Sequence, residues 1–293
     1  MNIVYEIFIF KKNYKVCPMK WICIFLLFLT SYAGGKEKEY IVLHCRDNAG
    51  MFSILFDVLS LTKQYEKGHY NGIEVDFMTE GLYYSSEKGP NWFTYYCEPI
   101  QIGEKKNVRH IYGDAPFADA YDIEFHTTRH EANHLINNHI HVKQEILDEI
   151  SEFFEKHFLG NFVISVHYRG TDKITEAPPV SFSEIKDKII QLIISMGYTN
   201  YKIFVATDEQ VFIDYMENSF GDKVCYNEKA IRSINSKPLH FSNNDRYKIG
   251  RDAMIDSILL SKGDYMLRMS SNLSLWSTFL NSEMPVCELN QRY

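Results

Sequence analysis

Cysteine is scarce and poorly placed for chemistry: six occur in 293 residues. Cys17 and Cys23 fall in the N-terminal segment. Cys45, Cys97, Cys225 and Cys287 are widely spaced, and no CxxC pair is present. Three of these four lie in or near apolar runs, where a buried free thiol is the expected state. An excess of positive charge is also missing. The formal net charge of −7 argues against a nucleic-acid binder that relies on general phosphate attraction, although it leaves room for a small local anion site. There is no long low-complexity tract, and 45% of the residues are hydrophobic, enough for one large globular domain or two small ones. The N-terminal apolar run "WICIFLLFLTSYA" falls short of the roughly 20 residues that cross a bilayer comfortably. It follows Lys11, Lys12, Lys15, Met19 and Lys20, and small residues Ser31 and Ala33 follow its core. This pattern predicts a signal peptide or signal anchor over residues 1–33, with Met19 as an alternative start. The implied location is secretory, exported or membrane-associated (Golgi or endoplasmic reticulum in a eukaryote). The alternative is a cytoplasmic protein in which this segment adds a strand.

Beyond residue 36 the chain reads as α/β. "YIVLHC" is a strand, "RDNAGMF" a turn, "SILFDVLSLTKQYEKG" a helix ending at Gly68, and "GIEVDFM" a second strand. An irregular aromatic stretch follows, and residues 128–158 read as one long amphipathic helix. From Phe162 the pattern is β-α-β-α-β-loop-α-β-α-β, with Ser183 the expected cap of the first helix and Gly197 its stop. Such alternation implies a parallel sheet covered on both faces, with ligands held beyond the carboxyl ends of the strands.

Three strand ends carry the chemistry. "VISVHYRGTDK" delivers His167, Arg169, Thr171, Asp172 and Lys173 to one edge. "FVATD" adds Thr207 and Asp208, and "YMLRMSSN" adds Ser270, Ser271 and Asn272. Arg169 has the planar fork that suits a phosphate. Ser270 and Ser271 open a helix, whose N-terminal amides favour anions. Singly, Asp208 and Ser270 are ordinary helix-start residues; jointly with Arg169 the set fits a diphosphate. In the N-terminal half, Asn48 and Gly50 sit in a turn suited to approaching the same ligand. No DxD-type acidic pair stands at a strand tip, so no metal is expected.

"VHYRGTDKITEAP", "IFVATDEQ" and "MIDSILLSKGDYMLRMSSNLS" resemble, in order and spacing, the three signatures of the fucosyltransferase superfamily that includes the core α-1,6-fucosyltransferases and the bacterial nodulation fucosyltransferases. The likeness covers about residues 161–289 and is looser in the N-terminal half. It implies a GT-B-like fold, two Rossmann-like domains facing across a cleft, divided here into 36–158 on the acceptor side and 159–293 on the nucleotide-sugar side. It further implies inverting, metal-independent transfer of a sugar, usually fucose from GDP-fucose as co-substrate, to a glycan hydroxyl. His167 and Arg169 would bind the diphosphate, Asp256 the guanine edge, and Ser270 and Ser271 the nucleotide, while Glu176 would match the proposed base. Where the family has adjacent arginines this chain has Gly170, and the segment between Lys173 and Glu176 is one residue shorter. Two competing classes remain. One is a non-catalytic nucleotide-sugar or glycan-binding protein. The other is a zinc hydrolase at "HEANH", where His130 and His134 would share a helix face beside Glu131. Its polar flanks, and Asn137 and Ile140 where a Gly-x-x-His extension would lie, favour an interdomain helix instead.

Overall fold

A computed structural model describes residues 37–45, 49–78, 81–112, 123, 126–170, 177–233 and 245–291. The N-terminal segment, Asn48, Thr171, Asp172, Lys173 and Glu176 therefore lie outside the described residues. Among the described residues no helix is long and apolar enough to cross a membrane.

Two sheets organise the chain from Glu39 onward. The first contains β1 (Tyr40–His44), β2 (Gly72–Val75), β3 (Gln101–Gly103) and β4 (Val108–Tyr112), in the order β3-β2-β1-β4. β1 runs parallel to both β2 and β4, and β3 is antiparallel at the edge. Ile41, Leu43, Ile73, Val75 and Ile111 enter the core together with α1 (Met51–Glu66). The sequence pattern had shown neither β3 nor β4. β3 has only three residues, and β4 has Ile111 as its one buried position, so neither carries the alternation that marks a half-buried strand.

The expected long helix is two helices, α2 (Arg129–His139) and α3 (Gln144–His157). At the break the backbone stops bonding to itself and pairs with the aromatic stretch. Glu98 N–H donates to His141 O at 2.7 Å, and Lys143 N–H to Tyr96 O at 2.9 Å. The apolar period runs through the break, which is why it was invisible in the pattern.

The second sheet follows the predicted alternation: β5 (Phe162–Tyr168), α4 (Phe182–Met196), β6 (Tyr201–Thr207), α5 (Gln210–Phe220), β7 (Val224–Cys225), α6 (Arg246–Ser261), β8 (Tyr265–Arg268), α7 (Asn272–Leu280) and β9 (Val286–Glu288). Its order is β7-β6-β5-β8-β9, all parallel. The α4 cap is Ser181, which accepts from Glu184 N–H at 3.2 Å, rather than Ser183. Gly197 closes the helix at φ +67° as expected. α5 begins at Gln210, so Asp208 and Glu209 precede the helix at the β6 tip and are not part of its first turn.

The sheets are separate in hydrogen bonding but share one apolar cluster. Phe52 and Phe56 of α1 pack on Trp276 of α7 with ring centroids 6.1 and 6.0 Å apart. Val163 and Phe204 on one face of the second sheet join this cluster, while Ile164, Val166 and Tyr168 on the other face pack with α4 and α5. A Cβ on Gly250 would lie 2.3 Å from the Tyr96 hydroxyl. Only glycine there lets α6 approach the aromatic stretch so closely.

Candidate active site

β5 sits between β6 and β8, with His167 in register with Ala206 on one side and Arg268 on the other. The chain order reverses between β5 and β8, so a crevice opens at the carboxyl ends of these strands. It is a cleft lined by His167, Arg169, Asp208, Asp252, Asp256 and the N-terminal half's Tyr83, among others.

His167 is buried, and its Nδ1 makes no hydrogen bond. Burial, with the Arg169 and Arg268 guanidiniums adding to it, pushes its pKa down to about 3. It therefore offers a neutral imidazole, and the cationic role in the cleft falls to Arg169. Arg169 Nε stands 3.9 Å from Asp208 Oδ2, a loose ion pair. Asp208 is anchored through its backbone, whose carbonyl accepts from Ser233 N–H at 2.7 Å. Arg268 is a structural neighbour: it donates to Ser274 Oγ at 3.1 Å and to Glu288 Oε1 at 2.5 Å.

On the opposite wall, α6 presents Asp252 and Asp256 one turn apart. Asp252 is fully engaged, accepting from Ile231 N–H at 2.9 Å and from Lys248 Nζ at 2.9 and 3.0 Å. Asp256 is different. It is 7% exposed, and its Oδ1 is buried without a hydrogen-bond partner. Burial pushes its pKa up to about 7, opposed by the Arg232 guanidinium and the Asn227 amide and reinforced by Asp252. A buried carboxylate oxygen left without a donor costs stability unless a ligand supplies one. Asp256 is therefore not the exposed helix residue that its surroundings in the sequence allow.

Other expected residues are placed differently. Ser270 N–H, which an anion site would aim at phosphate, donates to Asn290 Oδ1 at 2.8 Å. Ser271 is buried as the α7 N-cap, and Leu273 rather than either serine lines the cleft. Gly50 is the α1 N-cap at φ −68°, with open space where a Cβ would be. That is an ordinary helix start which any residue could make. At Gly170 a Cβ would meet Glu209 Oε2 at 2.7 Å and the Tyr168 hydroxyl at 2.8 Å. A second arginine has no room here while those two side chains hold their places.

Sequence reasoning missed Tyr83, whose hydroxyl accepts from Met51 N–H at 3.0 Å and so ties the start of α1 to the cleft. It also missed Asp252 and Arg232. The i, i+4 spacing of Lys248, Asp252 and Asp256 was the available signal for one charged face on α6.

"HEANH" is a brace. Arg129 donates to the last carbonyls of α7 and beyond: Thr278 O at 3.2 Å, Asn281 O at 2.6 Å and Met284 O at 2.8 Å. Asn133 Nδ2 adds Phe279 O at 2.8 Å. The histidines face outward: His130 pairs with Glu283 at 2.5 Å and His134 with Glu66 at 3.4 Å. Among the described residues no group of three or more His, Cys, Asp or Glu is placed to hold a metal ion. Arg129→Ala is expected to cost about 2–3 kcal/mol, the worth of charged hydrogen bonds left unmade. His130→Ala and His134→Ala should each change stability by less than about 0.5 kcal/mol. Denaturant titration of the three variants checks this, and stoichiometric zinc lost with either histidine would restore the hydrolase reading.

The family model described as Nodulation protein Z (NodZ) matches residues 117–291, more than half of the chain. No curated protein matches this chain. Among solved structures, the NodZ alpha-1,6-fucosyltransferase soaked with GDP-fucose is similar at TM-score 0.58 and 17% identity, over 84% of this chain and 93% of that one. The fucosyltransferase NodZ from Bradyrhizobium matches at TM-score 0.58 and 16% identity, over 88% of this chain and 99% of that one. POFUT1 in complex with GDP matches at TM-score 0.50 and 11% identity, over 87% of this chain and 99% of that one. These likenesses establish the GT-B fold. With the family model covering all three strand-tip signatures, the chain belongs to the Nodulation protein Z family, within the fucosyltransferase superfamily.

Proposed function

We infer that this protein is a glycosyltransferase that moves fucose from GDP-fucose to a hydroxyl of a glycan, with inversion at the anomeric carbon. The observation that carries this reading is Asp256, a buried carboxylate oxygen without a donor, in a cleft that also holds Arg169. Guanine presents two adjacent donors on one edge, N1–H and the N2 amino group, and an ionised carboxylate accepts both. Adenine and uracil have no such pair. The similar structures named for their GDP or GDP-fucose complexes support the same donor.

In this reading Arg169 grips the diphosphate and offsets the charge that grows on it as the sugar bond breaks. Neutral His167 contributes a hydrogen bond but no charge. Glu176 is our candidate for the base that takes the acceptor hydroxyl's proton. Thr171, Asp172 and Lys173 would complete the diphosphate side, with Asn48 approaching from the N-terminal half. Residues 159–293 would hold the donor and 36–158 the acceptor, and the N-terminal segment would direct the chain to a lumen or a membrane.

GDP should raise the melting temperature more than ADP or UDP does. Ligand at 100 times its dissociation constant adds about 2.7 kcal/mol, and a thermal-shift series reads the difference directly. Equal shifts for the three nucleotides would defeat the guanine assignment. The cationic first signature around Arg169, with no DxD-type acidic pair at a strand tip, also leads us to expect transfer to survive EDTA. Loss of transfer with EDTA, restored by a divalent cation, would require the leaving-group chemistry to be redrawn.

A further inference from the structure

The two sheets reverse their strand order in the same way. In the five-stranded sheet the reversal lies between β5 and β8, where the cleft opens; in the four-stranded sheet it lies between β1 and β4. Open α/β sheets gather ligands at the carboxyl ends of the strands at such a point. The carboxyl halves of β1 and β4 carry His44, His110 and Tyr112, none of which lines the cleft that holds Arg169 and Asp256.

With both rings neutral, their hydrogen bonding sets the tautomers. His44 is buried, and its Nδ1 lies 2.6 Å from the carbonyl oxygen of Asp76. A carbonyl can only accept, so His44 Nδ1 carries the proton and its Nε2 the lone pair. That Nε2 lies 2.9 Å from His110 Nδ1, which therefore donates. His110 is left with a lone pair on Nε2, on an exposed ring. The two imidazole planes agree within 3°. Tyr112 stacks on His44 with centroids 4.6 Å apart and is itself 57% exposed.

An exposed tyrosine alone is ordinary surface. Here it stands beside an outward hydrogen-bond acceptor whose tautomer is set from inside the protein, at the ligand-binding end of the sheet. A sugar needs that combination: a flat ring for its C–H face, and a fixed polar atom for a hydroxyl.

We propose that the carboxyl ends of β1 and β4 form a saccharide subsite that seats the acceptor glycan, with Tyr112 as the stacking face and His110 Nε2 accepting from a sugar hydroxyl. The role as acceptor site rests on the glycosyltransferase reading above. The test is an immobilised oligosaccharide array probed with the full-length protein saturated with GDP, with GDP affinity measured in the same samples. The wild-type protein should select at least one oligosaccharide. Tyr112→Ala and His110→Ala should each weaken that binding about tenfold without changing GDP affinity, whatever stability His110→Ala loses by leaving His44 Nε2 without its donor. Tyr112→Phe, which keeps the ring, should stay within about twofold. Full binding by both alanine variants, or no saccharide bound by the wild type, overturns the subsite. Failure of the wild type to bind GDP counts against the donor reading alone, because saccharide binding is scored separately.

Discussion

Arg169→Ala should lower fucosyl transfer about a hundredfold in a protein that stays folded. The residue ends the buried strand β5 at the mouth of the cleft, 22% exposed, where a charge is screened less than on the open surface. Its electrostatic work grows as the sugar–phosphate bond breaks, so turnover should fall along with donor binding. Removing one preorganised charge partner of this kind costs on the order of 3 kcal/mol. Two features of this chain make the loss hard to compensate. His167 is held neutral, with its pKa pushed down to about 3. Position 170 is a glycine hemmed in by Glu209 and Tyr168. Arg169→Lys keeps the charge but loses the two-pronged geometry and should rescue little. Transfer rate, GDP affinity and melting temperature measured on both variants decide the matter. A folded Arg169→Ala protein with most of its activity would remove Arg169 from the mechanism.

Asp256→Asn should do two opposite things: weaken GDP at least about tenfold and stabilise the empty protein above pH 7. Its carboxyl has a folded pKa of about 7, raised from 3.8 chiefly by burial. A raised acid favours the folded state while it is protonated. That stabilisation is complete below the unfolded value and is lost as pH rises through about 7. Above that pH the folded protein carries a buried charge whose Oδ1 has no donor. Removing the charge should recover on the order of 2 kcal/mol. Guanine needs the ionised form, so wild-type GDP affinity should fall as pH drops below 7. ADP serves as the control for protonation of the diphosphate itself, and the variant should lose the GDP-specific part of the slope. Denaturant titration, and calorimetry with GDP and ADP, on both proteins at pH 6 and pH 8 check both effects. An Asn variant that is destabilised at pH 8 and binds GDP normally would refute the assignment.

The second sheet was legible because its central strands β5, β6 and β8 are buried on both faces and separated by helices, so these elements announced themselves in the apolar pattern. The strand tips then brought His167, Arg169 and Asp208 together without further information, since parallel strands share one carboxyl edge. What stayed hidden was set by tertiary contact. Tyr83 reaches the cleft from an irregular stretch with no period. The break between α2 and α3 depends on carbonyls at Tyr96 and His141 that no local pattern reveals. The burial of Asp256 follows from α6 being covered nearly all round, although its sequence alternates polar and apolar residues like an exposed helix. "HEANH" shows the converse: a motif spacing arose on a helix whose inward residues, Arg129 and Asn133, cap another helix.

The most direct measurement is a crystal structure of the protein with GDP. Guanine N1 and N2 are expected within about 3 Å of the Asp256 carboxylate, and the diphosphate on Arg169 with His167 beneath it. A nucleotide bound with its base away from Asp256, or its phosphates away from Arg169, would contradict it.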